Sequence, residues 1–388
     1  MSSMTGKVLQ LSIFGQSHSR GIGCVLDGLP AGIPIDLERL QKFMARRAPG
    51  THTINTPRKE ADTLEVLGGL SDGVTCGAPF AAIIYNTNTR SSDYQEIAQK
   101  PRPGHADFTA AIRYGNWNDS AGGGHFSGRL TAPLTAAGGL ALQALTQMGI
   151  RVQAHITHIG NERDKASDQA IMSNEAPYTI PVDLLETIAQ HEAELGIAMA
   201  NEQAALRARE AILQAASEKD SVGGMIECIA WGMPAGVGDP IFDGIENRIA
   251  RISFGIPAVR GIEFGYGMQA SRLRGSEHND PFGIQDKEVL PLTNFAGGIL
   301  GGITTGAPIV WRLAIKPTPS IAQEQRTVDM ATMSPAHLRI QGRHDPCIVP
   351  RAVPVVEAAG ALALLDALLE DGCYKLPASR PYRAASEV

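Results

Sequence analysis

Residues 8–44 read VLQLSIFGQSHSRGIGCVLDGLPAGIPIDLERLQKFM, and their pattern sets the fold class. Residues 8–14 and 22–26 are apolar, β-prone runs that predict two strands, and DGLPAGIP after them is a turn. Leu37, Leu40, Phe43 and Met44 then recur at helical spacing behind Asp36, a favourable N-cap. A related unit returns later, with residues 224–231 strand-like, GMPAGVGDP a turn, and residues 242–252 helical. Two copies of strand, PAG turn and helix hint at an internally duplicated fold, although the shared string is only three residues long. Residues 131–148 and 183–217 also read as helices, the second interrupted near Gly196, and residues 355–369 as another, ended by Asp371 and Gly372. No Pro/Ser-rich linker divides the 388 residues, so the expectation is one compact α+β domain over residues 1–388.

Composition narrows the function. The chain is 43% hydrophobic, and its 42 glycines and 24 prolines fall between apolar runs, which indicates tight turns and not disorder. With 34 basic against 40 acidic residues and a net charge of −6, a nucleic-acid partner is not expected. Arginine outnumbers lysine 25 to 9, which suits bidentate grip on carboxylate and phosphate, though composition bias accounts for the skew equally well. Cys24, Cys76, Cys228, Cys347 and Cys373 lie far apart, so neither a disulfide framework nor a thiolate metal site is expected. The N-terminus has no long apolar run, and the most apolar stretch, residues 352–369, carries Pro354, Glu357 and Asp366. A soluble cytoplasmic protein with no membrane partner is the expectation.

Familiar cradles are missing: there is no G-x-G-x-x-G after a strand, no G-x-x-x-x-G-K-[ST], no H-E-x-x-H and no G-x-S-x-G. His155 and His158 sit in an alternating, strand-like segment without a nearby carboxylate and read as structural. Chemistry concentrates in glycine-rich loops. His18 stands in FGQSHSRGIG, His105 in KPRPGHAD and His344 in GRHDPC, with Arg102 and Arg343 beside the last two and Asp107 and Asp345 just after them. A guanidinium next to an imidazole suits an anionic ligand that needs a proton donor. The run AGGG at residues 121–124 precedes His125, Phe126, Ser127 and Arg129, and KPTPS spans residues 316–320; both offer backbone N–H groups or cations to an anion or a flat ring. For AGGILGG at residues 296–302 alone, tight packing is the better reading.

The ordered set FGQSHSRGIG, DGLPAGIPID, RRAPG with TPRKEAD, NTNTRSSDY, RPGHADFT, GGGHFSGRLTA, MPAGVGDPIFD, GIPAVRGIEFG, GSEHNDPF, NFAGGILGGITTGAPI, KPTPSI and GRHDPC resembles the chorismate synthase family, from about Phe14 to about Leu369. The resemblance implies a β-α-β sandwich, a homotetramer, and a lyase converting 5-enolpyruvylshikimate 3-phosphate into chorismate and phosphate by 1,4-elimination. It implies reduced FMN as cofactor, with NADPH a candidate reductant. It makes His18 the donor of a proton to the departing phosphate, His105 the histidine near the flavin, and Asp345 the aspartate of the proton-removal step. Flavin contacts fall to Ser127, Ala258, Gly301, Lys316, Pro317, Thr318, Pro319, Ser320 and Arg343, and substrate contacts to Ser17, Arg46, Arg47 and Arg129.

The chain departs from the family pattern at Gln16 and Ser19, at Ala48 and Thr53 where arginine is usual, and at His125 and Phe126 within GGGHFSGR. On this reading His125 donates to an anion and Phe126 stacks on the flavin. A flavin-binding relative that has lost the elimination is the alternative. Retention of His18, His105 and Asp345 together favours the enzyme.

Overall fold

The computed structural model describes residues 3–49, 52, 54, 61–86, 99–164, 178–285, 287–340 and 345–374. The chain is built twice from the sequence strand, strand, helix, strand, strand, helix. In the first copy these are β1 (Gln10–Gly15), β2 (Gly21–Asp27), α1 (Leu37–Arg47), β3 (Glu65–Gly68), β4 (Phe80–Tyr85) and α2 (Thr131–Gln147). In the second they are β5 (Arg151–Ile159), β6 (Gly224–Trp231), α3 (Ile245–Ser253), β7 (Val259–Phe264), β8 (Ile309–Ile315) and α4 (Val349–Glu370). Sheet order repeats as well: β1-β2-β4-β3 in one sheet and β5-β6-β8-β7 in the other, antiparallel throughout, each with a two-residue strand added outside its first member.

The duplication runs deeper than the PAG string. Cys24, Gly28, Pro30, Ala31 and Gly32 recur as Cys228, Gly232, Pro234, Ala235 and Gly236, at a constant offset. Gly32 and Gly236 have φ of 95° and 94°, a left-handed conformation that favours glycine. Each PAG turn is latched by one buried threonine on a short hairpin. Thr75 Oγ1 donates to Pro30 O at 2.7 Å and accepts from Ile33 N–H at 2.8 Å. Thr304 Oγ1 donates to Pro234 O at 2.6 Å and accepts from Val237 N–H at 2.9 Å. Gly301 lies in the turn of the second hairpin, between Ile299–Leu300 and Ile303–Thr304.

The helices lie between the sheets: α2 packs on the first sheet, α4 on the second, and α2 and α4 on each other. Their approach is close because Gly138 faces Ala358, where a Cβ would come within 2.2 Å of the alanine's own. Gly360 likewise leaves room for the fully buried Trp311 of β8. Covered along most of its length, α4 is apolar on nearly every face, as a buried helix must be. Among the described residues it is the helix long and apolar enough to cross a membrane, yet 94% of that window is buried inside the protein. It starts at Val349, six residues before the predicted start, because Pro350 is tolerated in its first turn and Pro354 is accommodated inside it. Its polar residues have partners. Asp366 accepts N–H bonds from Val8 and Leu9 at 2.8 Å, fastening the approach to β1.

Asp36 caps α1 as predicted, accepting from Arg39 N–H at 2.9 Å, and the predicted helix over residues 183–217 is two helices, Val182–Leu195 and Glu202–Ser217, broken at Gly196. All five cysteines are free, and burial pushes the Cys24 thiol up to about 12.

The two latches give a paired test. Thr75→Ala and Thr304→Ala each strip a buried N–H and a carbonyl of their partner, so each is expected to lower stability by about 1–3 kcal/mol. Chemical denaturation should give similar losses for the two, adding to within about 0.5 kcal/mol in the double variant because the sites are independent. A loss at one threonine alone would show that the latches are not equivalent.

Candidate active site

A cavity of about 740 Å³ opens where the two copies meet. Corresponding connections from each copy form its walls. The segment after α1 brings Pro49 and that after α3 brings Phe254–Val259; the connection from β4 to α2 brings Arg102, Gly104–Ala106, Thr109, Gly122 and His125–Arg129, and that from β8 to α4 brings Lys316, Thr318–Ser320 and Asp345.

The floor is a glycine ledge. Gly122, Gly123 and Gly124 have φ of 61°, 85° and 53°, so the AGGG run takes a course that β-carbons would oppose. A Cβ on Gly122 would strike the His18 ring at 2.1 Å, and one on Gly123 would press on His105 Cε1 and Nε2 at 3.2 Å. Both predicted histidines therefore pack against adjacent residues of one ledge. His105 lines the cavity; His18 does not, although its neighbour Ser17 does.

Cations dominate the walls. Arg47, Arg102, Arg129, Arg260, Lys316 and Arg351 all line the cavity. Arg47 and Arg129 are 4% and 9% exposed, and both pair with Asp62, one to each carboxylate oxygen. Burial opposes the Asp62 charge, but Arg47 and Arg129 outweigh it and hold the carboxyl below its ordinary range. Burial pushes Arg47 itself down to about 10 despite Asp62. Arg47 Nε also donates to Thr131 Oγ1 at 3.0 Å. Arg351 pairs with Asp345 and donates from Nε to the Arg47 carbonyl at 2.9 Å, joining the start of α4 to the end of α1. Asn86 ties two parts of the site: its Oδ1 accepts from Arg129 Nε at 3.1 Å, and its Nδ2 donates to Ser19 O at 2.8 Å in the His18 loop.

The opposite wall is backbone-rich. Ala258 adopts φ of 74°, uncommon for a residue with a side chain, and its carbonyl accepts Lys316 N–H at 3.0 Å. Thr318 Oγ1 is enclosed and has no hydrogen-bond partner among the described residues. A buried hydroxyl left unbonded is costly unless a ligand satisfies it.

Not every predicted contact lines this cavity. Arg46 does not line the cavity: its Nη1 meets Glu357 at 2.6 Å and its Nε meets Glu192 at 2.9 Å, so it fastens α1 to α4 and to the helix Val182–Leu195. Gly301 is a latch-hairpin turn residue, outside the cavity. His125 lines the cavity with both ring nitrogens engaged, Nδ1–H donating to Gly15 O at 2.8 Å and Nε2 meeting Ser3 Oγ at 2.7 Å, so it holds loops and has no free donor for an anion. Phe126, Ser127, Ala258, Lys316, Thr318, Pro319 and Ser320 line the cavity, and Pro317 does not. Ala48 is buried at the end of α1. Arg343, His344 and Thr53 lie outside the described residues.

Sequence reasoning passed over Asp62, Arg260 and Arg351. Asp62 and Arg260 stand in quoted motifs, TPRKEAD and GIPAVRGIEFG, while Arg351 is flagged only by its place six residues after Asp345.

Replacing Asp62 tests the arginine pair. Asp62→Asn leaves two buried guanidiniums without their counter-charge and is expected to cost about 3–5 kcal/mol by chemical denaturation at neutral pH. With its folded-state pKa depressed, Asp62 contributes fully above the ordinary carboxylate value of about 4 and loses that contribution as the pH falls through the lower folded value. The stability gap between wild type and variant should therefore narrow in acid; a constant gap would contradict the pairing.

The chorismate synthase family model matches residues 9–369. The chorismate synthase of Lancefieldella parvula is 47% identical over 95% of this chain and 96% of its own length. That of Korarchaeum cryptofilum is 43% identical over 94% and 96%. A crystal structure of chorismate synthase superposes with a TM-score of 0.73 at 27% identity, covering 95% of this chain and 93% of that one. Matched nearly end to end in sequence and in fold, this chain belongs to the chorismate synthase family.

Proposed function

We propose that the chain is a carbon–oxygen lyase that converts 5-enolpyruvylshikimate 3-phosphate into chorismate and phosphate in this cavity, with reduced FMN as its cofactor. The observation that carries the reading is the packing of His18 and His105 on adjacent glycines of one ledge, at the edge of a cavity lined by six cations. The substrate bears a phosphate and two carboxylates, and desolvating three anionic groups requires cations already in place.

A flavin nucleotide fits the residues present. The volume lies in the upper part of the range of roughly 300–1,000 Å³ found for small-molecule sites. The unbonded Thr318 hydroxyl, Ser127, Ser320 and the Ala258 backbone offer polar contacts on one wall, Phe126 an aromatic face, and Lys316 a charge. What reduced FMN supplies there is electron density for the substrate ring as the phosphate departs.

Arg47 and Arg129 hold substrate anions, with Arg351 and Arg260 added to the predicted set. Ser17 lines the cavity and its Oγ packs on Gly122 together with the His18 ring, so the departing phosphate meets the serine hydroxyl and His18 beside it is the proton donor. A positioned acid of this kind contributes about 10²–10⁴-fold. Asp345 accepts the ring proton, held in place by Arg351. The C–O bond to phosphate breaks and a C–H bond breaks at the far end of the allylic system; the C–H electron pair forms a double bond to the adjacent alkene carbon, and the original double bond shifts to the carbon that loses phosphate. A cytoplasmic homotetramer is the assembly that accompanies this reading.

Anaerobic incubation with chemically reduced FMN and 5-enolpyruvylshikimate 3-phosphate should release phosphate and form chorismate; flavin binding without turnover would reject the reading in favour of a relative that has lost the elimination. His105→Ala and Asp345→Ala should each slow turnover at least about tenfold without unfolding the protein. Full rates in both would remove their roles. Replacing the chemical reductant by NADPH identifies the source of electrons: turnover with NADPH and oxidised FMN alone would make the chain its own flavin reductase.

A further inference from the structure

Asp107 is the first residue of the helix Asp107–Tyr114, two residues after His105. Its carboxylate is buried and takes several donors at once. His105 Nδ1 lies 2.6 Å from Oδ1. Arg102 reaches it in a fork, Nε to Oδ2 at 2.7 Å and Nη2 to Oδ1 at 2.8 Å, and adds its own backbone N–H to Oδ2 at 3.1 Å. Arg102 continues across the seam between the two copies, where Nη1 donates to Ser320 Oγ at 3.2 Å.

This geometry decides which imidazole nitrogen carries the hydrogen. A carboxylate is an acceptor only, and 2.6 Å between it and a nitrogen lone pair would be repulsive, so Nδ1 carries the proton and donates it. Arg102 Nη2 lies 3.0 Å from Nδ1 and 3.3 Å from Nε2; one of its two hydrogens goes to Oδ1, and with Nδ1 protonated only the Nε2 lone pair of the ring can accept the other. In the neutral ring, Nε2 is then the lone-pair nitrogen. It lies on the ring edge that Gly123 leaves open. Arg102 and the helix N-terminus keep Asp107 ionised despite its burial.

We propose that Asp107 is a positioning residue for His105: it fixes the Nδ1–H tautomer and aims Nε2 at the glycine ledge, while Arg102 and Ser320 hold Asp107 in place. This rests on the role given to His105 above. The charge on Asp107 acts through the imidazole, and its effect on turnover vanishes when the imidazole is absent.

Two measurements test the assignment. The first needs no ligand: in the full chain labelled with ¹⁵N-histidine at about pH 9, above the ordinary histidine range, His105 should show the Nδ1–H signature in a long-range ¹H–¹⁵N spectrum, and Asp107→Asn should shift it toward Nε2–H. Nε2–H in the wild type would overturn the proposal whatever the variants do. The second is a kinetic cycle with reduced FMN. Asp107→Asn should lower kcat by about 100-fold, and the same change in a His105→Ala background by less than about twofold. Equal losses in both backgrounds would make Asp107 only an anchor for Arg102 and overturn the assignment. A fully active His105→Ala would instead remove the role of His105 and the proposal with it, and that single variant separates the two failures.

Discussion

Buried guanidiniums repel one another, and this site packs Arg47, Arg129 and Arg351 around the junction of α1, α2 and α4. Two unit charges of one sign 4 Å apart cost about 4 kcal/mol at an effective dielectric of 20. Asp62 stands between Arg47 and Arg129, and Asp345 stands against Arg351. With Asp107 on Arg102, each carboxylate fixes a cation in place before any ligand arrives. Among the described residues, six lining cations against these three carboxylates still leave an excess of positive charge. The site is thus electrostatically incomplete until anions enter, which is the condition a preorganised anion site must meet.

The duplicated scaffold explains how one cavity gets two unlike walls. Corresponding connections of the two copies meet at the seam, but their contents have diverged. The first copy supplies the histidines, Arg47, Arg102 and Arg129; the second supplies the strained Ala258 backbone, the Thr318 hydroxyl and the apolar stretch around Phe254–Pro257. The threonine latches persist in both because they hold the scaffold. Connections tolerate divergence better than the strands and helices that bury the core, so chemistry accumulates there. Arg102, bonded to Ser320 across the seam, couples the two walls.

Much of the scaffold was legible because period and turn chemistry are local. Asp36 as cap, the break at Gly196 and the strands on either side of the His18 loop follow from a few neighbouring residues. Sheet order and latch bonds join residues such as Pro30 and Thr75, or Pro234 and Thr304, whose pairing no local window reveals. The same limit applies in the site. Arg46 and Arg47 are adjacent in sequence, but consecutive helical residues point about 100° apart, so one faces the cavity and the other faces Glu192 and Glu357. Gly301 belongs to a motif that reads as ligand-binding in the family resemblance and as tight packing on its own, and it serves the latch. Asp62 carries no special local pattern, and its importance arises from two arginines brought to it by different elements.

The departures from the family pattern at Gln16, Ser19 and His125 are connected in space. Ser19 Oγ accepts from Gln16 N–H at 3.0 Å, closing the loop around His18 from within. His125 grips the loop at Gly15 from without and extends to Ser3, while Ser17 N–H donates to Gly124 O at 3.1 Å. Asn86 takes hold of the loop at Ser19 and Gln16 from the other side. A ring whose two nitrogens are spent on neighbouring segments acts as support at position 125, and the His18 loop is fixed by hydrogen bonds that need no ligand. Order secured in this way is ordering entropy already lost in folding, which substrate binding does not have to supply.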